Sequence, residues 1–161
     1  MKVDATLHVN GTDFPVEIDP HMSLLKAVRD EIGLTGSKEG CDDSECGACM
    51  MLLDGKPVNS CSYLAMQAVG KQVTTVEGLA GDQELAPLQA EFLRHGGVQC
   101  GFCTPGMLIS ATALLRTQPD PSEQEIRIAL AGNLCRCTGY GGIVQAVLGA
   151  ARIRTEPGSG T

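Results

Sequence analysis

Eight cysteines fall into two sets of four, and none is left over. Cys41, Cys46, Cys49 and Cys61 are spaced C-x4-C-x2-C-x11-C. Cys100, Cys103, Cys135 and Cys137 read C-x2-C, a gap of about thirty residues, then C-x-C. Four thiols at such spacings can close disulfides, grip a zinc ion or hold an iron–sulfur cluster. Disulfides belong to oxidising compartments and small exported scaffolds. The N-terminus MKVDATLHVNG has no apolar h-region and no small-residue cleavage site, which predicts an unexported, cytoplasmic chain. Cysteine is 8 of 161 residues, below the density of a disulfide scaffold. Zinc ribbons pair C-x2-C with C-x2-C over 15–20 residues, and neither set does so.

The first spacing is that of a plant-type [2Fe–2S] ferredoxin loop, in which four thiolates hold two irons. The second is a different four-thiolate set on a different scaffold. Two one-electron centres in one small chain predict an electron relay.

Length allows one medium domain or two small ones, each needing help beyond its apolar core. A metal staple in each supplies that help. Aromatics are only 3% of residues and tryptophan is absent, so Leu, Val, Ala, Met and Ile must fill the cores. Formal charge is −7. Such a surface repels nucleic acid, and no basic patch interrupts it. The longest apolar run, in GMLISATALL, is far shorter than a membrane span.

The elements that must carry the cysteines follow from pattern. Ala5 to Val9 and Phe14 to Ile18 flank Asn10-Gly11, a hairpin signal. SLLKAVRDEIG places Leu24, Leu25, Val28 and Ile32 on one helical face, with Ser23 as N-cap and Gly33 as C-cap. A glycine-rich loop carries Cys41, Cys46 and Cys49. A second hairpin turns at Asp54-Gly55, and Gln72 to Val76 closes the sheet. Beyond a linker at 78–86 the chain reads as helical: LAPLQAEFLRHGG, a helix capped by Thr104 with Pro105 behind it, a helix opened by the capping box Ser122-x-x-Glu125, and IVQAVLGAAR. The fold class is thus α+β: a β-grasp ferredoxin-like domain over 1–77, a four-helix bundle over 78–155, and a disordered tail at 156–161.

Gly40, Ser44, Gly47 and Ala48 let the backbone of the first loop approach anionic sulfur closely. Asp42, Asp43 and Glu45 either lower the potential of a cluster there or point into water. Cys103 stands just before a helix N-terminus, whose positive end favours anionic sulfur. The first set, on a loop, is expected nearer water. The second, between helix ends, is expected to be shielded.

With these residues in view, the chain resembles the iron–sulfur small subunit of the xanthine oxidase family of molybdenum hydroxylases. GCDDSECGAC resembles that family's first cluster loop, while Val98 to Met107 and Gly132 to Tyr140 resemble its second cluster motif, and the likeness runs from about residue 3 to 152. Ser44 departs from it, standing where the family usually has glycine; if that position needs a positive φ, serine carries strain.

The resemblance implies a large partner holding a molybdenum–pyranopterin cofactor and a medium partner holding FAD, assembled as a dimer of heterotrimers. It implies that Cys41, Cys46, Cys49 and Cys61 hold the cluster that passes electrons to FAD. Cys100, Cys103, Cys135 and Cys137 would hold the one beside the pterin, with Gln99 and Cys137 touching the pterin itself. Arg136 either offsets cluster charge or stays solvated. The chain is too short for a molybdenum domain and has no G-x-G-x-x-G fingerprint, so substrate chemistry is expected on a partner. The competing function is a free-standing two-cluster carrier.

Overall fold

The computed structural model describes residues 2–80 and 85–155; the tail expected to be disordered lies outside them. The first half is built on hairpins. Strands β1 (Val3–Val9) and β2 (Thr12–Ile18) pair antiparallel from Val3 opposite Ile18 to Val9 opposite Thr12. Asn10 and Gly11 turn the chain at φ 51° and 81°. Leu7, Val9, Val16 and Ile18 alternate inward along the two strands, as a half-buried sheet requires. The second hairpin, β3 (Met50–Leu53) and β4 (Lys56–Asn59), turns at Asp54-Gly55.

Strand β5 (Gln72–Thr74) then slots between the hairpins, parallel to β1 and antiparallel to β3. Among the described residues the sheet has five strands in the order β2-β1-β5-β3-β4. Asn10 fastens the seam: its amide donates to the Thr75 hydroxyl at 2.9 Å, and its carbonyl oxygen accepts the Thr75 N–H at 2.9 Å. Val76 is not in the closing strand as expected but begins a 3-10 turn, Val76–Leu79.

Ser23 caps α1 (Leu24–Lys26), its hydroxyl accepting the Lys26 N–H at 3.3 Å. The helix then widens into a π-type turn, Ala27–Glu31, which the plain helical pattern did not announce. The wider turn carries Arg29, whose guanidinium donates to the carbonyls of Thr35 and Ser37 at 2.8 and 2.6 Å and so tethers the start of the cysteine loop. Leu24, Leu25 and Val28 pack with Leu7, Ile18, Met51 and Val73 in one apolar core. Each such fully buried side chain stabilises the fold by roughly 1.5–3 kcal/mol relative to exposure.

The second half places α2 (Pro87–Arg94), α3 (Thr104–Thr117), α4 (Glu123–Ala129) and α5 (Gly141–Thr155) around Phe92, Met107, Leu115, Ile126, Ile143 and Val147. α2 packs along α5, α4 touches α3 and α5, and α3 leans on β3 and β4. Ser122 and Glu125 form the expected capping box: Ser122 donates its N–H to the Glu125 carboxylate at 2.7 Å, and Glu125 N–H returns to the Ser122 hydroxyl at 3.3 Å. The cap of α3 falls one residue earlier than expected. Cys103 holds that position, and the Thr104 hydroxyl is buried with no hydrogen-bond partner among the described residues.

The two halves meet where the cysteine loops meet. Gly106, on the first turn of α3, faces the carbonyl of Gly47, and a Cβ on Gly106 would collide with that oxygen. Gly47 itself has φ 71°, and a Cβ there would strike the Gly132 carbonyl. Side chains are excluded at both positions by backbone, which cannot move aside cheaply.

Candidate metal centres

The loop between α1 and β3 supplies Cys41, Cys46 and Cys49, and Cys61 follows β4. The β3–β4 register, Met50 opposite Asn59, swings Cys61 back beside Cys49. The Ser60 hydroxyl fixes that return by donating to the Cys49 carbonyl at 2.6 Å in a buried position. Asp42, Ser44 and Gly47 all take positive φ (59°, 69° and 71°), coiling the loop around its own centre. Ser44 therefore does carry the left-handed conformation that glycine adopts freely. Asp42, Asp43 and Glu45 are exposed, which favours their solvated reading.

In the second set, Cys100 and Cys103 lead into α3, while Cys135 and Cys137 lie on the loop between α4 and α5. Tyr140 has φ 68° and folds its ring back over that loop. Its hydroxyl accepts the Cys135 N–H at 2.7 Å and donates to the Asn133 carbonyl at 3.2 Å. The Thr138 hydroxyl and N–H both donate to the Cys135 sulfur, at 3.1 and 3.5 Å.

Within each set the sulfurs lie in pairs. Two thiolates on one tetrahedral metal, with bonds of about 2.3 Å, sit about 3.7 Å apart. Cys100 and Cys137 Sγ are 3.6 Å apart. Cys41 and Cys46, Cys49 and Cys61, and Cys103 and Cys135 are neighbours that shift one another's titration. Among the described residues no three His, Cys, Asp or Glu side chains are grouped closely enough to hold one metal ion. Paired thiols are compatible with a two-iron cluster, in which four thiolates serve two irons.

The surroundings make room for sulfur and bring donors to Cys41, Cys61 and Cys135, while burial favours the neutral thiol at Cys49 and Cys103. A Cβ on Gly40 would sit 2.8 Å from Cys46 Sγ, so glycine there keeps the sulfur's space open. Cys46 N–H points at Cys41 Sγ at 3.4 Å. Burial pushes the Cys49 thiol up to about 11, aided by the Cys61 sulfur. Burial, with Cys135 alongside, pushes Cys103 up to about 12. Cys135 itself is drawn down to about 7: burial raises it, but the Thr138 hydroxyl and N–H and the Cys137 N–H outweigh that. Cys61 is likewise lowered, burial being overcome by the Ser62 hydroxyl, Cys49 and Ser44. Proximity to Cys100 raises Cys137.

The expected order of exposure is reversed in the chain by itself. Cys100 and Cys137 are exposed, whereas Cys41 and Cys46 are only half-buried and Cys49 and Cys61 are buried. Cys103, just ahead of α3, is buried and Cys135 is half-buried, so the second set is covered on one side. Its outer side is a surface depression walled by Phe102, Leu134 and Tyr140, with Phe102 and Leu134 exposed. Gln99 and Arg136 stand exposed at the same face, neither making a side-chain hydrogen bond within the described residues.

Sequence reasoning quoted Asn133, Thr138 and Tyr140 only as part of the second motif, with no bonding role, and passed over Ser62. Asn133 is 2% exposed, yet polar. Its amide donates to the Gly47 carbonyl at 3.1 Å, and its carbonyl oxygen accepts from the Ser110 hydroxyl at 2.7 Å. One side chain thus binds the first cysteine loop to α3.

Residues 7–80 match the family described as "2Fe-2S iron-sulfur cluster binding domain", and residues 75–148 match "[2Fe-2S] binding domain". The chain is 48% identical to the nicotinate dehydrogenase small FeS subunit of Eubacterium barkeri, over 86% of this chain and 88% of that one. It is 46% identical to the xanthine dehydrogenase iron-sulfur-binding subunit of Escherichia coli, over 87% and 89% of the respective chains. Its fold superposes on a chain of quinoline 2-oxidoreductase from Pseudomonas putida 86 with a TM-score of 0.91, at 44% identity and 94% coverage of both.

Proposed function

The chain belongs to the iron–sulfur small subunits of the xanthine oxidase family, and on that premise we propose that it is the electron-transfer subunit of a hetero-oligomeric molybdenum hydroxylase or dehydrogenase. Its two halves act as separate domains, a β-grasp domain over 1–77 and a four-helix bundle over 78–155. Cys41 with Cys46 and Cys49 with Cys61 hold the irons of the first [2Fe–2S] cluster. Cys100 with Cys137 and Cys103 with Cys135 hold those of the second. When bound, the clusters supply one-electron transfer, relaying reducing equivalents from molybdenum–pyranopterin on a large subunit to FAD on a medium subunit.

This chain's own residues bind, orient and exclude water. Gly40, Gly47 and Ala48 keep the backbone close to the first set, and Thr138 and Tyr140 fix the sulfur and peptide of Cys135. The exposed face of Cys100 and Cys137 meets the large subunit, with Gln99 and Cys137 against the pterin; Phe102 and Leu134 provide apolar contact there. Substrate chemistry belongs to the large subunit. The assembly is cytoplasmic and a dimer of heterotrimers. Among the described residues no helix is long and apolar enough to cross a membrane.

The observation that carries this reading is the pairing of sulfurs into two sets whose loops are hydrogen-bonded to each other. Anaerobic purification from native extract tests it. The expected product is a red-brown complex with a molybdenum-containing large chain and about four irons and four sulfides per copy of this chain. A colourless, zinc-bearing protein would overturn it, and a red-brown lone chain would make it a free-standing carrier.

A further inference from the structure

Ser44 holds φ 69°, a left-handed conformation that glycine adopts without strain and that a side-chain-bearing residue adopts only at a cost. The strained residue has a use for its side chain. Ser44 Oγ donates to Ser62 Oγ at 2.5 Å, and Ser62 Oγ lies 3.6 Å from Cys61 Sγ. Asn59 holds Ser44 in place, its amide donating to the Ser44 carbonyl at 3.1 Å.

We propose that Ser44 and Ser62 form a two-hydroxyl donor chain onto the Cys61 sulfur that raises the reduction potential of the first site. The inference rests on the reading of Cys61 as an iron ligand. A ligating thiolate has no proton, so the Ser62 hydroxyl must be the donor to it. Ser62 oxygen is then free to accept, and the Ser44 hydroxyl is already oriented to donate to it. Successive hydroxyls in a chain polarise one another and strengthen the last bond. Adding one electron to the site adds one negative charge and moves no proton. Donors aimed at a ligand sulfur stabilise that extra charge, so reduction becomes easier. Cys61 is itself only 8% exposed, whereas Ser62 is exposed and its bond to Ser44 lies at the surface.

The test is an EPR-monitored redox titration of the anaerobically purified complex, with iron content measured on each sample. Ser62→Ala and Ser44→Gly should each lower the midpoint of the first-site signal. Ser62→Thr, which keeps a hydroxyl, should retain the wild-type value. The second-site midpoint should stay fixed throughout. Should Ser44→Gly lose the first-site signal, the contrast between Ser62→Ala and Ser62→Thr decides by itself. Full signals with unmoved midpoints, or midpoints of both sites moving together, would overturn the donor chain while leaving the ligand assignment standing. Wild-type protein with no iron signal would overturn the ligand assignment and the donor chain with it.

Discussion

The peptide N–H of Leu134 donates to the carbonyl of Cys46 at 2.9 Å. Leu134 directly precedes Cys135, so one hydrogen bond joins the backbones of the two sulfur sets. Asn133 reinforces the junction from the neighbouring position by binding the Gly47 carbonyl. The Asn133 bond lies in a dry place, where a lost partner is costly to replace.

Asn133→Ala should show that cost. It leaves the Ser110 hydroxyl buried without its acceptor, at about 1–3 kcal/mol, and strips the Gly47 carbonyl of one of its two donors, the Met50 N–H remaining. A fall in Tm of roughly 5–10 °C is expected by calorimetry. An unchanged Tm would mean that water enters and takes over both bonds.

Gly106→Ala probes the same junction sterically. The new methyl meets the Gly47 carbonyl, and α3 can only accept it by moving off the first loop. Such overpacking costs about 1–3 kcal/mol, and here it falls on backbone. Chemical denaturation should show a loss at the upper end of that range or above it. A neutral result would show that the two loops are not in fixed contact.

The two proposed ligand sets should separate by spectroscopy. Cys49→Ser should abolish one of two reduced EPR signals and halve the iron. Cys135→Ser should abolish the other. Loss of both signals from either substitution would contradict two independent sites.

Helix α4 gives a pH signature. Hydrogen bonds from the Ser122 hydroxyl first, then Gln118 and the Ser122 N–H, hold Glu125 down at about 2. A carboxylate depressed in the folded state contributes stability that is complete above the unfolded value, near 4.3, and is lost as pH falls through the folded one. Ser122→Ala should therefore lower Tm near neutrality, and the gap to wild type should narrow between about pH 4.5 and pH 2. A gap constant across that window would show that the carboxylate adds nothing to the cap.

Local chemistry was readable in the sequence, and long-range chemistry was not. Asn10-Gly11 and Asp54-Gly55 turn where they should because φ preference belongs to the residue itself. The Ser122–Glu125 box formed because both partners lie within one turn. The cap of α3 moved from Thr104 to Cys103 because helix ends answer to tertiary fit as much as to side-chain type. The cysteine sets were legible from spacing, but not which side of each faces water. The exposure of Cys100 and Cys137 depends on how the helix ends close around them. Asn133 bridges 86 positions to Gly47, and no periodicity marks such a residue. Ser44 was visible as an oddity, but its partner Ser62 became evident only once β4 had returned Cys61 to the loop.

Strand β5 lies between β1 and β3, so the sheet stays in two separate hairpins until residues 72–74 have been made. In chain order all four cysteines of the first set precede β5 and all four of the second follow it. The closing sheet can therefore gather the earlier four without waiting for any of the later four.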